Sequence, residues 1–223
     1  MAFYNKKIQK VKEKGNGIII KINYKGNLIT LKVIDESEDT IKFLTDLRKK
    51  HRSMFATDFK MSEERTKKWI QKKLGKNHSI LFIIYTNGEK IGTIGTDLYD
   101  EKTNFAELDT IMKDPSCNIS GVMTFVHKVY LKWMFDYLKL SKIYARVFSD
   151  NYKAINLYER CGFLTVNTIS LKKIITDDGW IWEEKLSSDD IPIERCFDVV
   201  ELTKENLIQK FGDINYEILS KIA

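Results

Sequence analysis

The stretch Asn151-Tyr152-Lys153-Ala154-Ile155-Asn156-Leu157-Tyr158-Glu159-Arg160-Cys161-Gly162-Phe163 decides the fold. Ile143 to Phe148, just before it, reads as a strand that leads through Ser149-Asp150 into the segment. Asn151 suits a turn or a helix cap, Lys153 to Arg160 a short helix, and Gly162 its terminator, from which Phe163 opens another strand.

Working outward, Gly121 to Leu138 carries Val122, Phe125, Val126, Val129, Tyr130 and Trp133 at the helical spacing of a buried stripe. A polar loop after Asp114-Pro115 precedes it. Phe105 to Met112 reads as a strand whose alternation puts Phe105, Glu107 and Asp109 on one face and Ala106, Leu108 and Thr110 on the other. Ile80 to Thr86 and Lys90 to Asp97 flank the hairpin turn Asn87-Gly88. Asp39 to about His51 forms a helical face from Ile41, Phe43, Leu44 and Leu47, and Ser62-Glu63-Glu64 opens a second helix with a cap and an acidic first turn.

At the N-terminal end, Gly17 to Tyr24 and Leu28 to Ile34 are two strands joined through Lys25-Gly26-Asn27, and downstream Leu164 to Ile175 and Cys196 to Leu202 are strands with a turn at Asp177-Asp178-Gly179 between them. Strands that first meander and then alternate with helices predict an α/β fold. It has a mixed sheet, helices on both faces and a split between strands able to house a cofactor.

Composition sets the outer bounds. With 223 residues, 43% hydrophobic and 30% charged, the chain has the balance of an ordinary globular protein, and no apolar run reaches the roughly 18–20 residues that span a bilayer. Met1-Ala-Phe-Tyr-Asn-Lys-Lys is not followed by the apolar stretch of a signal peptide, so a cytoplasmic location is expected, without membrane insertion. Cys117, Cys161 and Cys196 are odd in number and widely spaced, which suits neither a disulfide framework nor a zinc site. Free, mostly buried thiols and no metal are expected. The net charge of +6 is spread through mixed lysines, arginines and carboxylates, and aromatic residues do not interleave with the basic helix around Arg65, so nucleic acid is not an expected partner. A monomer or a homodimer is expected.

The pattern Asn151-x-x-Ala154-x-x-Leu157-Tyr158-x-x-x-Gly162-Phe163 resembles the late motif of the GNAT superfamily of N-acetyltransferases. Ala106-Glu107-Leu108 through Ile111-Met112 and Asp114-Pro115 looks like that family's central strand, and the resemblance runs from about Leu28 to Leu202. It implies a mostly antiparallel central sheet split for the cofactor, an N-terminal extension over 1–27 that adds a strand, the acetyltransferase domain over 28–203 and a helical tail over 204–223.

The resemblance also implies acetyl-CoA as co-substrate. The loop Asn118-Ile119-Ser120-Gly121-Val122-Met123, at a helix N-terminus, is the expected pyrophosphate site, because main-chain N–H groups there lack helical partners. The family usually begins this loop with Arg or Gln and ends it with Gly or Ala. Here Asn118 and Met123 stand at those places and Gly121 is kept.

By resemblance, Tyr158 is the acid that protonates the coenzyme A thiolate, Asn151 and Ala154 touch the cofactor, and the main chain of Ile111, Met112 and Lys113 pairs with pantetheine. Glu107 is the expected base, because an ammonium substrate must lose a proton before it attacks a thioester. Asp109 shares its face, as competitor or as substrate contact. His51, Arg52 and Phe55 lie between the first two helices, where members of the superfamily build the acceptor pocket. Taken singly, each residue also has a packing, capping or solvation explanation; the ordered set is what carries function.

Leu28-Ile-Thr-Leu, Leu47-Arg-Lys-Lys-His-Arg and Met61-Ser-Glu-Glu-Arg-Thr-Lys-Lys-Trp69 look like the branch of ribosomal-protein and nucleotide-linked amino-sugar N-acetyltransferases. The basic front loop favours an amine on a nucleotide-linked sugar of bacterial surface-glycan synthesis. The alternatives are a protein N-terminus as acceptor and a catalytically degenerate binding module.

Overall fold

The computed structural model describes residues 3–13, 18–186 and 192–212. Two hairpins begin the sheet. β1 (Ile18–Tyr24) turns into β2 (Asn27–Val33), and β4 (Ile80–Thr86) turns into β5 (Glu89–Asp100). Both turns are two residues long with positive φ at each, 50° and 76° at Lys25-Gly26 and 48° and 93° at Asn87-Gly88. That geometry matches the right-handed twist of the flanking strands.

Between the hairpins lie α2 (Glu38–Lys50), β3 (Thr57–Phe59) and α3 (Glu63–Gly75). Ser37 and Ser62 cap the two helices by accepting the amides of Thr40 and Arg65. The second half of the chain runs through β6 (Phe105–Lys113), α4 (Val122–Leu138), β7 (Lys142–Phe148), α5 (Tyr152–Arg160), β8 (Leu164–Thr176), β9 (Gly179–Glu184), β10 (Arg195–Thr203) and α6 (Lys204–Phe211). An unanticipated helix, α1 (Phe3–Glu13), precedes β1 and buries Tyr4, Ile8 and Val11 at helical spacing. Residues 213–223 of the expected helical tail lie outside the described residues.

One ten-stranded sheet results, in the order β1-β2-β4-β5-β6-β7-β10-β8-β9-β3. Every pairing is antiparallel except that of β6 with β7, whose connection is the crossover helix α4. Alternation along β4 shows how the sheet is covered. Ile80, Phe82 and Ile84 join the core under α1 and α4, whereas Leu81 and Ile83 join a second cluster under α2 and α3. Helices therefore cover both faces, as the residue pattern predicts.

Two short strands escape a pattern-based reading. β9 follows the Asp177-Asp178 turn and pairs with β8, and three-residue β3 pairs with β9. Because β3 belongs to the α2–α3 connection, this pairing ties the front of the molecule to the far end of the sheet. The amide of Trp182 donates to the carbonyl of Ala56 at 2.7 Å and reinforces the tie.

All three cysteines are free, but only Cys161 is fully buried; Cys117 and Cys196 are half-buried, contrary to the expectation for them. Among the described residues no helix is long and apolar enough to cross a membrane.

His127 on α4 is fully buried against the rings of Tyr158 and Phe163, and neither ring nitrogen has a hydrogen-bond partner among the described residues. Burial pushes its pKa down to about 3. The unfolded chain, with an ordinary histidine near 6.5, therefore binds the extra proton first, and stability is full above that value and lost as pH falls towards 3. Between pH 7.5 and pH 5.5 this one group should remove about 1.4 kcal/mol of stability. Denaturant melts of a His127→Leu variant should show that much less loss over the same interval; an equal loss would mean that His127 is not the group responsible.

Candidate active site

β6 and β7 pair only through Phe105↔Lys142, Ala106↔Ile143 and Glu107↔Tyr144. Beyond Glu107 the strands part. The cause is in β6, where Gly95 faces Asp109 but Thr93 faces Met112, so one extra residue bulges out, and Thr110 takes a left-handed φ of 54°. A bulge bends its strand and ends the regular ladder. The carbonyl of Thr110 is held by the Thr93 hydroxyl at 2.7 Å. On the side facing β7, the main chain of residues 108–113 is left without a strand partner. The unpaired side of β6 runs along Ile111, Met112 and Lys113, although the Met112 carbonyl turns to Gly92 of β5 and the Lys113 carbonyl is bonded by His51 through Nε2 at 2.8 Å.

α4 begins at the mouth of this opening. Gly121 caps it in a left-handed conformation, φ 75°, with no side-chain cap and no acidic residue in the first turn. The Val122 amide reaches Ile119 and the Phe125 amide reaches Gly121, but those of Met123 and Thr124 have no acceptor among the described residues. Such unpaired amides on a helix N-terminus favour an anion. Asn118, Ser120 and Gly121 are exposed, Ile119 and Met123 are half-buried, and Val122 is buried so that only its main chain is available. The Tyr24 hydroxyl donates to Ser120 O at 3.2 Å, and a Cβ on Gly121 would stand 2.6 Å from that hydroxyl. Only glycine fits beneath it.

The Asn151–Phe163 segment has a largely structural logic. Asn151 Oδ1 accepts the Ala154 amide at 3.2 Å and starts α5. At its other end the Phe163 amide returns to Tyr158 and the Gly162 amide to Glu159, with Gly162 at φ 88°. This is the double bond of a Schellman motif, and it closes the turn that carries Tyr158.

Phe163 packs edge-on against Tyr158 with ring centroids 5.0 Å apart. Tyr158 is 7% exposed, and burial first, then the charges of Asp109 and, more weakly, Glu107, raise its phenol well above its ordinary range. Its hydroxyl therefore stays protonated. Three residues on, burial pushes the Cys161 thiol up to about 12.

The two carboxylates of β6 differ. Both oxygens of Glu107 are taken by Arg146, from Nε at 2.7 Å and from a terminal nitrogen at 3.2 Å. Asp109 is paired with the buried Lys73 and accepts the Thr110 hydroxyl on the same oxygen, Oδ2.

A cavity of about 140 Å³ opens between α2, α3 and β6, lined by Arg48, Arg65, Phe55, Phe59, Trp69 and Thr110 among others. Of the three front-loop residues expected at the acceptor, only Phe55 reaches it. His51 is engaged at Lys113, and Arg52 forks onto Asp58 at 2.5 and 2.7 Å. Arg48 lies 3.8 Å over the Phe55 ring and Arg65 5.4 Å over Phe59. Neither arginine stands out in the front-loop pattern; the available signal is that Arg48 follows Leu44 by four residues and Arg65 precedes Trp69 by four, each sharing a helix face with a residue that lines the cavity.

An acetyltransferase (GNAT) family model matches residues 44–163. Sequence comparison with curated proteins finds no match. Among solved structures, the chain is similar to the spermidine N-acetyltransferase of Vibrio cholerae in complex with CoA and spermine, with a TM-score of 0.64 and 18% identity over 81% of this chain and 98% of that one. A chimera of the Vibrio cholerae enzyme SpeG with hSSAT gives a TM-score of 0.61 and 18% identity over 81% and 98%. At such identity these likenesses show the fold.

The Schellman turn supplies a direct test. A Cβ on Gly162 would lie 3.0 Å from Asn206 O, at a φ that side chains avoid. Gly162→Ala should cost about 1–3 kcal/mol in denaturant unfolding. A loss under about 0.5 kcal/mol would show that the turn does not depend on glycine.

Proposed function

Because the chain belongs to the GNAT family of acetyltransferases, we propose that it moves the acetyl group of acetyl-CoA directly to an amine carried by an anionic molecule, a nucleotide-linked amino sugar. The observation that carries the transfer is the parting of β6 and β7 beside the unpaired amides of α4, with Tyr158 at its side. Coenzyme A is a pyrophosphate with a long amide-bearing arm. Its phosphates suit the α4 amides, and its pantetheine amides suit the open edge of β6 from Ile111 to Lys113.

Asn118 brings no charge to the loop, so the main chain and the helix dipole supply the attraction. Asn151 and Ala154 flank the same opening from the start of α5. The acceptor amine attacks the thioester carbonyl, the carbon–sulfur bond breaks with its electron pair on sulfur, and Tyr158 protonates the thiolate.

The acceptor class follows from the cavity. Two guanidinium groups and three aromatic rings line it, with no carboxylate in the lining among the described residues, and of the two Arg65 is paired with Asp178 at 2.5 Å. Such a lining repels the polycations named for the structural neighbours and suits phosphate with a flat base or sugar ring. Arg48 uses one terminal nitrogen on Thr57, which leaves the other donors of its fork for a ligand. A protein N-terminus as acceptor finds no comparable support in this lining.

Thiol release should be measured with acetyl-CoA and three acceptors: a nucleotide-linked amino sugar, an N-terminal peptide and spermidine. The amino sugar should be the best substrate, and preference for spermidine would overturn the acceptor assignment. Arg48→Met should raise KM for that acceptor by about 10–100-fold while leaving the affinity for acetyl-CoA unchanged. An unchanged acceptor KM removes Arg48 from the site. Tyr158→Phe, which keeps the ring packing, should lower kcat about 100-fold with little effect on either KM. Wild-type turnover in that variant would remove Tyr158 from the chemistry.

A further inference from the structure

We propose that Asp109, rather than Glu107, takes the proton from the acceptor ammonium, and that Lys73 is the buried positioning residue that holds it for this task. The proposal rests on the acetyl-transfer reading above.

The two carboxylates share a strand face but differ in what is left to them. Glu107 is 17% exposed with both oxygens forked by Arg146, so accepting a proton requires breaking a two-bond ion pair. The Asp109 side chain is 39% exposed. Its Oδ2 holds Lys73 and Thr110, while Oδ1 has no partner among the described residues. One oxygen anchors the group and the other is available.

Lys73 is 6% exposed and is itself fixed from several sides. Its ammonium also reaches Asp97 at 3.0 Å, and Lys76 reaches the other oxygen of Asp97 at 2.9 Å. Lys12 of α1 donates to the carbonyls of Lys73, Leu74 and Lys76 at 3.1, 3.0 and 2.6 Å and so caps the end of α3. Burial, with the charge of Lys73, brings the Lys12 ammonium down to about 8. An ammonium that cannot swing away fixes the carboxylate it holds.

Asp109 is also in the right place. Its neighbours Thr110 and Met112 line the acceptor cavity. Its charge acts on Arg48 of that cavity from one side and on Tyr158 from the other, more strongly than does Glu107. Bonded to Lys73 of α3 and next in sequence to Thr110, it lies beside the lining of the cavity that receives the amine. The Lys73 ammonium of α3 is shared between Asp109 and Asp97 of β5, the Asp109 charge also acts on Arg48 of α2, Tyr130 of α4 and Tyr158 of α5, and Glu107 lies two residues away on its own strand.

The protons balance as follows. The ammonium gives one proton to Asp109 Oδ1, which passes it to solvent. The nitrogen lone pair then forms the bond to the carbonyl carbon, and the carbon–sulfur pair leaves on sulfur. Tyr158 gives sulfur its proton, and the second proton of the nitrogen restores the phenol through water.

Asp109→Asn, Glu107→Gln and Lys73→Met should be compared in the full chain, with kcat measured from pH 6 to pH 10 and acetyl-CoA affinity by calorimetry. At pH 7, Asp109→Asn should lose about 100-fold in kcat, keep its acetyl-CoA affinity within about twofold, and regain activity about tenfold per pH unit as the amine sheds its proton to water. Glu107→Gln should lose less than about fivefold and keep the wild-type pH profile. Lys73→Met should lower kcat about tenfold and displace the profile, with activity partly restored by Lys73→Arg. If Asp109→Asn does not fold, the double variant Lys73→Met/Asp109→Asn carries no uncompensated charge and reads the same pH recovery.

A wild-type rate in Asp109→Asn, a loss without recovery at high pH, or a pH-recovering loss in Glu107→Gln would each overturn the proposal. Absence of any acetyl transfer by the unaltered chain would overturn the underlying reading as well.

Discussion

The structure turns on one departure from regular pairing, the extra residue that β6 inserts at Thr110. A parallel pair of strands joined by a crossover helix ordinarily stays hydrogen-bonded along its length. Here three residue pairs suffice to hold β6 against β7, and the bulge then bends β6 away. The bulge has two further consequences. It exposes main-chain groups from Leu108 onward, and it sets Thr110, the residue after Asp109, against the cavity between α2, α3 and β6. The cost of an interrupted ladder is offset by the rest of the sheet, whose remaining pairs are antiparallel and whose two faces bury separate apolar clusters.

Around that opening the chain places groups of opposite demand. Tyr158 and Cys161 are buried where charge is costly, and both hold their protons. On the side of β6 towards α2 and α3, side chains of opposite sign are paired: Asp109 with Lys73 and Arg65 with Asp178, and Glu107 is paired with Arg146 of β7. The β3–β9 pairing matters for the same reason. It anchors the α2–α3 connection, and hence Phe55 and Phe59, to strands at the far end of the sheet. The cavity between α2, α3 and β6, formed partly by a loop, thereby gains the rigidity of the scaffold.

Much of this was legible from residues alone, and the limits have physical causes. The Asn151–Phe163 pattern predicts its helix well because cap, inward face and Schellman glycine all act within thirteen consecutive positions. The two Gly-containing turns are equally local. The bulge is not, since Ala106 to Met112 alternates plausibly through it, and only the pairing with β5 reveals the added residue. β3 escapes notice because three residues carry no period, and its partner β9 lies more than a hundred residues away. α1 was readable from Tyr4, Ile8 and Val11, but its lysines mask the stripe. In the site, Tyr158 and the β6 carboxylates follow from pattern, whereas the roles of Arg48, Arg65, Lys73 and Arg146 are set by contacts across the sheet. Front-loop position alone favoured His51 and Arg52, and both are engaged elsewhere.

The central claim is that acetyl-CoA lies in the opening between β6 and β7 with its phosphates on α4. Hydrogen–deuterium exchange with and without acetyl-CoA tests it most directly, because among the described residues the Met123 and Thr124 amides have no acceptor and β6 has no strand partner on its β7 side beyond Glu107. The account predicts slowed exchange in residues 108–113 and 118–124 when the cofactor is added. Unchanged exchange in both segments, or protection confined to other parts of the chain, would contradict it.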